Sequence, residues 1–362
     1  MAVINNCYAC VTSISILMKQ LIQRQNLDEI SFIRPILIIL LVAFHAFAPW
    51  DGSWPCFDGY QDNGLYWWIA KTTYSFMLPA FVFLSGYVWS YQREFLGRKE
   101  TLKVLAIKKF KRLIVPSVVF SLAYICLIEN TSTGALSLIE NIISGTGHMW
   151  FLPMLFLCFI FSWFLLQIKN RFVRWAVVVC LIIIHVIDIP FRINVSYYYI
   201  FYFLLGYEIQ KYALVIREQT KPFYIAILWI GFFLLFIFSQ FVFEQIDDIE
   251  VNNGALQKVL LFEAKTIIRV IYSTIGLLAL YLTSLKVVNV HSLPDYYVDL
   301  GQYCFGVYLF QQFILKILYY KTDFPSLVGS MALPWFGFAI ALFISLVLSF
   351  FIRRTNIGKR LI

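Results

Sequence analysis

The sequence predicts an all-α protein, a polytopic membrane helix bundle of about ten transmembrane helices with both termini in the cytoplasm. Three observations predict it. Hydrophobic residues make up 61% of the 362 residues and charged residues only 14%, against roughly 25% charged in an ordinary soluble domain; mean hydropathy is +0.77. Apolar runs of about 20 residues, long enough to cross a hydrocarbon core, recur along the chain. In lipid they must be helices, because every backbone polar group needs an internal partner. The third observation is charge asymmetry. With alternate loops cytoplasmic, one side holds Lys19, Arg24, Arg34, the block from Arg93 to Arg112, Lys169, Arg171, Arg174, Lys211, Arg217, Lys221, Lys286, Arg353, Arg354, Lys359 and Arg360. The other side holds Arg192, Lys258 and Lys321, with Asp51, Asp58, Asp62, Glu140, Asp247, Asp248 and Glu250. This is the positive-inside pattern. The net charge of +9 therefore reads as topology and attraction to membrane lipids, not as a nucleic-acid surface.

The expected spans are 31–49, 72–91, 113–130, 149–167, 173–189, 196–212, 222–243, 264–284, 303–320 and 332–352. They form a single membrane domain over 28–362, preceded by a cytoplasmic segment, 1–27, in which Met18-Lys19 is a reasonable start. That segment has no basic region ahead of its short apolar run Val11–Met18, which argues against a cleaved signal peptide. Its Cys7 and Cys10 form a CxxC without a second pair or a histidine, so no metal site is expected. Cys126, Cys158, Cys180 and Cys304 lie in apolar spans and read as small packing residues.

The first span carries the sharpest signal. Arg34 and His45 are eleven positions apart, about three helical turns, so both face one side of one helix about 16 Å apart. Ionisable residues stacked along a membrane helix mark a functional site by default. Neutral imidazole at His45 can deprotonate a sugar hydroxyl or accept an acyl group from a thioester. Arg34 can orient it or bind phosphate. The structural alternative is a histidine bonded to a neighbouring helix, with Arg34 snorkelling to the interface.

After the first span, Pro49–Gly64 is rich in Trp, Asp and Gly; Trp50, Trp54, Trp67 and Trp68 suit an interfacial aromatic belt. In the second span, Ser85-Gly86 lets helices approach closely, and Ser85 is also a candidate cavity residue. Gln92–Arg112 alternates basic and apolar residues and reads as an amphipathic surface segment running into the third span, with Pro116 in its first turns. Its Lys108, Lys109, Lys111 and Arg112 form either a positive-inside cluster or a dock for the phosphates of coenzyme A.

The fourth span opens with Gly147-His148-Met149-Trp150-Phe151-Leu152-Pro153. His148 and Trp150 can hold a sugar by hydrogen bonding and stacking, or belong to an aromatic belt. The fifth and sixth spans are separated only by the short polar link Asp188–Asn194, near which His185 and Asp188, at i and i+3, can pair. The seventh ends in an acidic loop, Glu244–Phe262. Arg269 sits inside the eighth, which marks it as a cavity candidate. Gln311 and Gln312 lie in the ninth; Gln311 fits a helix–helix hydrogen bond.

These residues, in this order, resemble the acyltransferase-3 family of membrane acyltransferases. Arg34 and His45 match its Arg-x10-His spacing. Pro79 to Tyr87 is similar to its second-span aromatic stretch, Lys109 to Pro116 to its basic run ending in proline, and Gly147 to Pro153 to its His-x-Trp-Phe-Leu-Pro segment. Tyr202 to Tyr207 and Gly301 to Gln311 resemble two later motifs. Members often have histidine where this chain has Gln311, which can hydrogen-bond but cannot titrate. The resemblance covers residue 28 to the C-terminus. It implies acyl transfer, usually acetyl from acetyl-CoA, to a hydroxyl of a carbohydrate such as an exopolysaccharide unit, in a bacterial inner membrane. It implies His45 as base or acyl relay, Arg34 supporting it or the CoA, and His148 and Trp150 as secondary site residues; Ser85, Arg269 and Gln311, read from their places inside apolar spans, join them as expected substrate contacts. Expected partners are acyl-CoA, a carbohydrate acceptor, membrane lipids and polysaccharide-assembly proteins. A reading from another class, a transporter or flippase of lipid-linked sugars, needs the same helix number; the lack of evident inverted repeats speaks against it.

Overall fold

A computed structural model describes residues 27–129, 134–249, 255–356 and 358. The expectations for Cys7, Cys10, the start at Met18, Lys19, Arg24, Lys359 and Arg360 lie outside the described residues. Among those described, the protein is all-helical, without strands.

In chain order the helices are α1 (Asp28–Phe47), α2 (Gly64–Ser90) and α3 (Leu102–Leu127), then α4 (Ala135–Ser144), α5 (Phe151–Leu165), α6 (Arg171–Ile184) and α7 (Ile193–Lys211). They continue with α8 (Ala213–Gln219), α9 (Pro222–Asp247), α10 (Ala255–Val290) and α11 (Asp295–Leu300). The last are α12 (Cys304–Tyr320), α13 (Phe324–Val328) and α14 (Leu333–Arg353). A helix coincides with each span expected from the sequence. Among the described residues, six segments are long and apolar enough to cross a membrane: α1, α3, Gly147–Leu165, α9, Gln257–Val290 and α14. The outer helix α9 turns Phe233, Leu234, Phe238 and Phe241 outward, the surface of a helix bathed in lipid rather than water.

The helix α1 is the centre of the bundle, packed against α2, α10, α12 and α14. α2 and α7 meet backbone to backbone. A Cβ on Gly86 would come within 1.9 Å of the Phe203 carbonyl oxygen, and one on Gly206 within 2.1 Å of that of Phe83. Only glycine fits at either position, which is the close approach expected of Ser85-Gly86.

Prolines shape two helices. Pro79, inside α2, has no N–H to bond the Ser75 carbonyl one turn back, and the Ser273 hydroxyl of α10 donates to that carbonyl instead. In α3, a π-helical turn at Phe110–Ile114 precedes Pro116. An i→i+5 turn takes up the register where proline breaks the regular ladder. The segment Gln92–Arg112 is thus not one amphipathic helix. Its start extends α2 as a π turn at Tyr91–Phe95, and Leu102 onward runs directly into α3.

Three further expectations are corrected. Trp50 and Trp54 are buried in the fold rather than set in an interfacial belt; the Trp50 indole donates to the Gln61 carbonyl at 2.8 Å. Cys126 and Cys180 are exposed, while Cys158 is buried. His185 does not pair with Asp188: its ring faces Glu263, with Nδ1 to Oε1 3.9 Å, and Asp188 accepts from Asn194.

Candidate active site

One face of α1 carries the site. Arg34, Ile38, Leu41 and His45 succeed each other at steps of four, three and four residues, the spacing of a single helical stripe. Arg34 and Ile38 line one cavity, His45 lines a second, and Leu41 lines both.

The first, basic cavity has a volume of about 440 Å³. Arg34, Lys109, Arg112 and Arg353 line it, and among the described residues no carboxylate does. The basic run splits here. Lys109, just before the π turn, and Arg112, inside it, line the cavity, while Lys108 and Lys111 do not. Lys108 is taken up in an ion pair with Glu100. The Lys109 ammonium sits 3.6 Å from the centroid of the Phe159 ring, a cation–π contact that holds it at the cavity wall. Arg353, from the far end of the chain, donates to the Gln302 carbonyl at 2.6 Å. Four cations with no carboxylate among the described lining residues give this cavity a positive field, the kind that attracts an anion. Ser85 also lines it, its hydroxyl donating to the Phe81 carbonyl at 3.0 Å.

The second, histidine cavity has a volume of about 460 Å³. His45, only 6% exposed, meets the His148 ring edge-on with centroids 6.0 Å apart. On its other side the Trp54 indole stacks at 5.7 Å, and the Lys316 ammonium lies 4.0 Å from that indole's centroid. Asp51, Lys71 and Arg192 complete the charged lining, with Asp51 and Lys71 paired at 3.7 Å.

His148 is held by its backbone. It sits in a 3-10 turn, Gly147–Trp150, entered through Gly147 at φ 59°; a Cβ there would lie 2.8 Å from the Tyr124 ring. Its N–H donates to Gln312 Oε1 at 2.9 Å and its carbonyl accepts from the Tyr308 hydroxyl at 2.7 Å. Its ring Nδ1 also contacts Gln312 Oε1. Among the described residues, Nδ1 of His45, Nε2 of His148 and both amide atoms of Gln311 are buried without an aligned protein partner. Each such atom calls for a specific explanation, and a catalytic role is one.

A family model described as an acyltransferase domain matches residues 27–354. The chain belongs to the acyltransferase-3 family. This makes it an integral membrane acyltransferase. Neither a search of curated proteins nor a search of solved structures found a match.

In this acyltransferase-3 protein the residues singled out from sequence fall into three groups. His45, His148 and Trp150 share the histidine cavity, and Gln311 is fully buried beside His45. Arg34, Ser85, Lys109 and Arg112 share the basic cavity. Arg269, Lys108 and Lys111 line neither; the Arg269 guanidinium lies over Phe243, 5.4 Å from its centroid. Trp54, Tyr308, Lys316, Gln302 and Arg353 had no such role in the sequence reading. Lys316 left one signal, a cation one turn after Gln312 in an apolar helix. Among the described residues no three His, Cys, Asp or Glu side chains converge as a metal would require.

Proposed function

We propose that this acyltransferase-3 protein is an O-acyltransferase of a bacterial inner membrane. It moves an acyl group, acetyl by preference, from acyl-CoA to a hydroxyl of a cell-surface or lipid-linked carbohydrate. The observation that carries this reading is the pair of back-to-back cavities along one face of α1, cations in one and paired histidines in the other. In the proposed topology about ten helices cross the membrane with both termini inside, so the basic cavity opens to the cytoplasm and the histidine cavity to the outside.

The phosphates of coenzyme A suit Arg34, Lys109, Arg112 and Arg353, all on one cavity without a competing carboxylate. On the other side, Trp150 offers an aromatic face, and Lys71, Arg192 and Lys316 offer donors to glycan oxygens. His45 takes the proton of the acceptor hydroxyl as its oxygen attacks the acyl carbon. The new C–O ester bond forms, the C–S bond of the thioester breaks, and the proton passes from His45 to the thiolate. His148 faces the same space and holds acceptor or base in line. Membership of an acyltransferase family leaves the transporter reading without support.

The test compares surface polysaccharide from cells with the wild-type protein, without it, and with His45→Ala, by mass spectrometry. An acetyl increment present only with the wild type, while His45→Ala accumulates normally in the membrane, is the expected result. A normally acetylating His45→Ala protein ends this mechanism.

A further inference from the structure

Leu41, Leu78, Phe151 and Tyr308 each line both cavities and therefore form the wall between them. They come from four different helices, α1, α2, α5 and α12, and all four are buried. The two cavities, about 440 and 460 Å³, are each of the size that takes an extended small ligand. Neither volume limits a short acyl chain, whereas the wall does.

The wall has a fixed half and a yielding half. Tyr308 is tied through its hydroxyl to the His148 carbonyl. Phe151 is flanked by the rings of Phe81 and Tyr308, with centroids 6.1 and 6.0 Å away. Leu41 and Leu78 have no polar tether, and aliphatic side chains change rotamer at modest cost. Leu41 lies one turn before His45 on the same stripe of α1, so whatever passes it arrives at the imidazole.

We propose that these four side chains are the aperture through which the acyl thioester reaches His45, and that the bulk of Leu41 and Leu78 restricts the acyl group to the shortest chains. This rests on the transferase reading above. A thread that parts the leucines must displace more wall for every added methylene, and such steric steps discriminate by about tenfold or more per methylene.

Inverted membrane vesicles bearing the protein and its glycan acceptors, given equal acetyl-CoA and butyryl-CoA, supply the test. Mass spectrometry reads the ratio of butyrylated to acetylated glycan. Because both products form in one sample, the ratio does not depend on how much protein folded. Leu41→Ala and the milder Leu78→Val are expected to raise the ratio about tenfold above wild type, and Leu78→Phe to lower it. Variants that acylate with the wild-type ratio overturn the aperture while leaving the transferase reading in place. Wild-type vesicles that acylate from neither donor overturn the transferase reading, and the aperture with it.

Discussion

The imidazoles of His45 and His148 meet edge to face with centroids 6.0 Å apart. They arrive from elements of unlike construction. His45 is fixed by its place on a central helix, whereas His148 rides on a short turn whose backbone is secured by Gln312 and Tyr308.

That dependence makes Gln312→Leu informative. The substitution removes the acceptor of the His148 N–H and leaves a buried donor unpaired, a cost of about 1–3 kcal/mol. The turn is expected to shift, and transfer to fall by about tenfold or more with the KM for acyl-CoA unchanged, since Gln312 lines only the histidine cavity. Steady-state kinetics of the two substrates checks it; an effect confined to acyl-CoA binding would contradict it.

The split of the basic run gives an internally controlled comparison. Arg34→Ala and Arg112→Ala each remove a guanidinium from the basic cavity. Charge-assisted hydrogen bonds are worth about 1.5–3 kcal/mol, so each change is expected to raise the KM for acyl-CoA by about ten- to a hundredfold. Lys108→Ala and Lys111→Ala alter exposed residues and are expected to stay within about 0.5 kcal/mol of wild type. Equal effects from all four would mean that the run acts as diffuse charge.

Gly147→Ala tests the turn itself. The residue has φ 59° and no room for a methyl group beside Tyr124. A left-handed alanine costs about 1–2 kcal/mol before any clash. The expected variant reaches the membrane with a slightly lowered melting temperature and loses most of its activity, because the displaced residue next in sequence is His148. Thermal melting in detergent alongside an activity assay separates the two effects.

Gly86→Ala and Gly206→Ala are expected to behave differently from that. A methyl group at either position drives into backbone, not into a yielding side chain. Overpacking costs about 1–3 kcal/mol even in adaptable cores, and backbone contact stands at or above the top of that range. Loss of folded protein, read as a collapsed monodisperse peak in detergent chromatography, is the expected outcome for both.

Much of this arrangement was legible in the chain because it is periodic. Arg34 and His45 declare a shared face through their spacing alone, and Gly147 to Pro153 announces a special turn through its glycine and histidine. Other parts were hidden because periodicity carries no information about them. Lys109 and Arg112, three apart, share a face at the ordinary helical period, yet nothing in that spacing says that their face, and not that of Lys108 and Lys111, lines a cavity. Arg353 and Trp54 reach their cavities only through tertiary packing, from the end of the last helix and from the loop after α1. Trp54 in particular has the composition of a lipid-interface residue, and only the structure shows its ring occupied by His45 and Lys316. Among the described residues six segments meet the length and hydropathy of a span where the sequence suggested about ten; of the other four helices, α6 and α12 are short, at 14 and 17 residues, while α2 and α7, at 27 and 19, are long enough but less apolar.

The close approaches of Gly86 to Phe203 and of Gly206 to Phe83 also have a mechanical consequence. Two helices touching along their backbones have no side-chain cushion between them, so α2 and α7 form a single stiff strut. α2 supplies Leu78, Phe81, Leu84, Ser85, Val88 and Trp89 to the basic cavity, so one flank of that chamber cannot breathe independently. Compliance is left to the side chains of the lining, Leu41 and Leu78 among them, and to the helices that face α2 across the chamber. Spin labels across α2 and α7 should then keep one narrow distance distribution through the catalytic cycle, while labels spanning α2 and α12 broaden when donor is added.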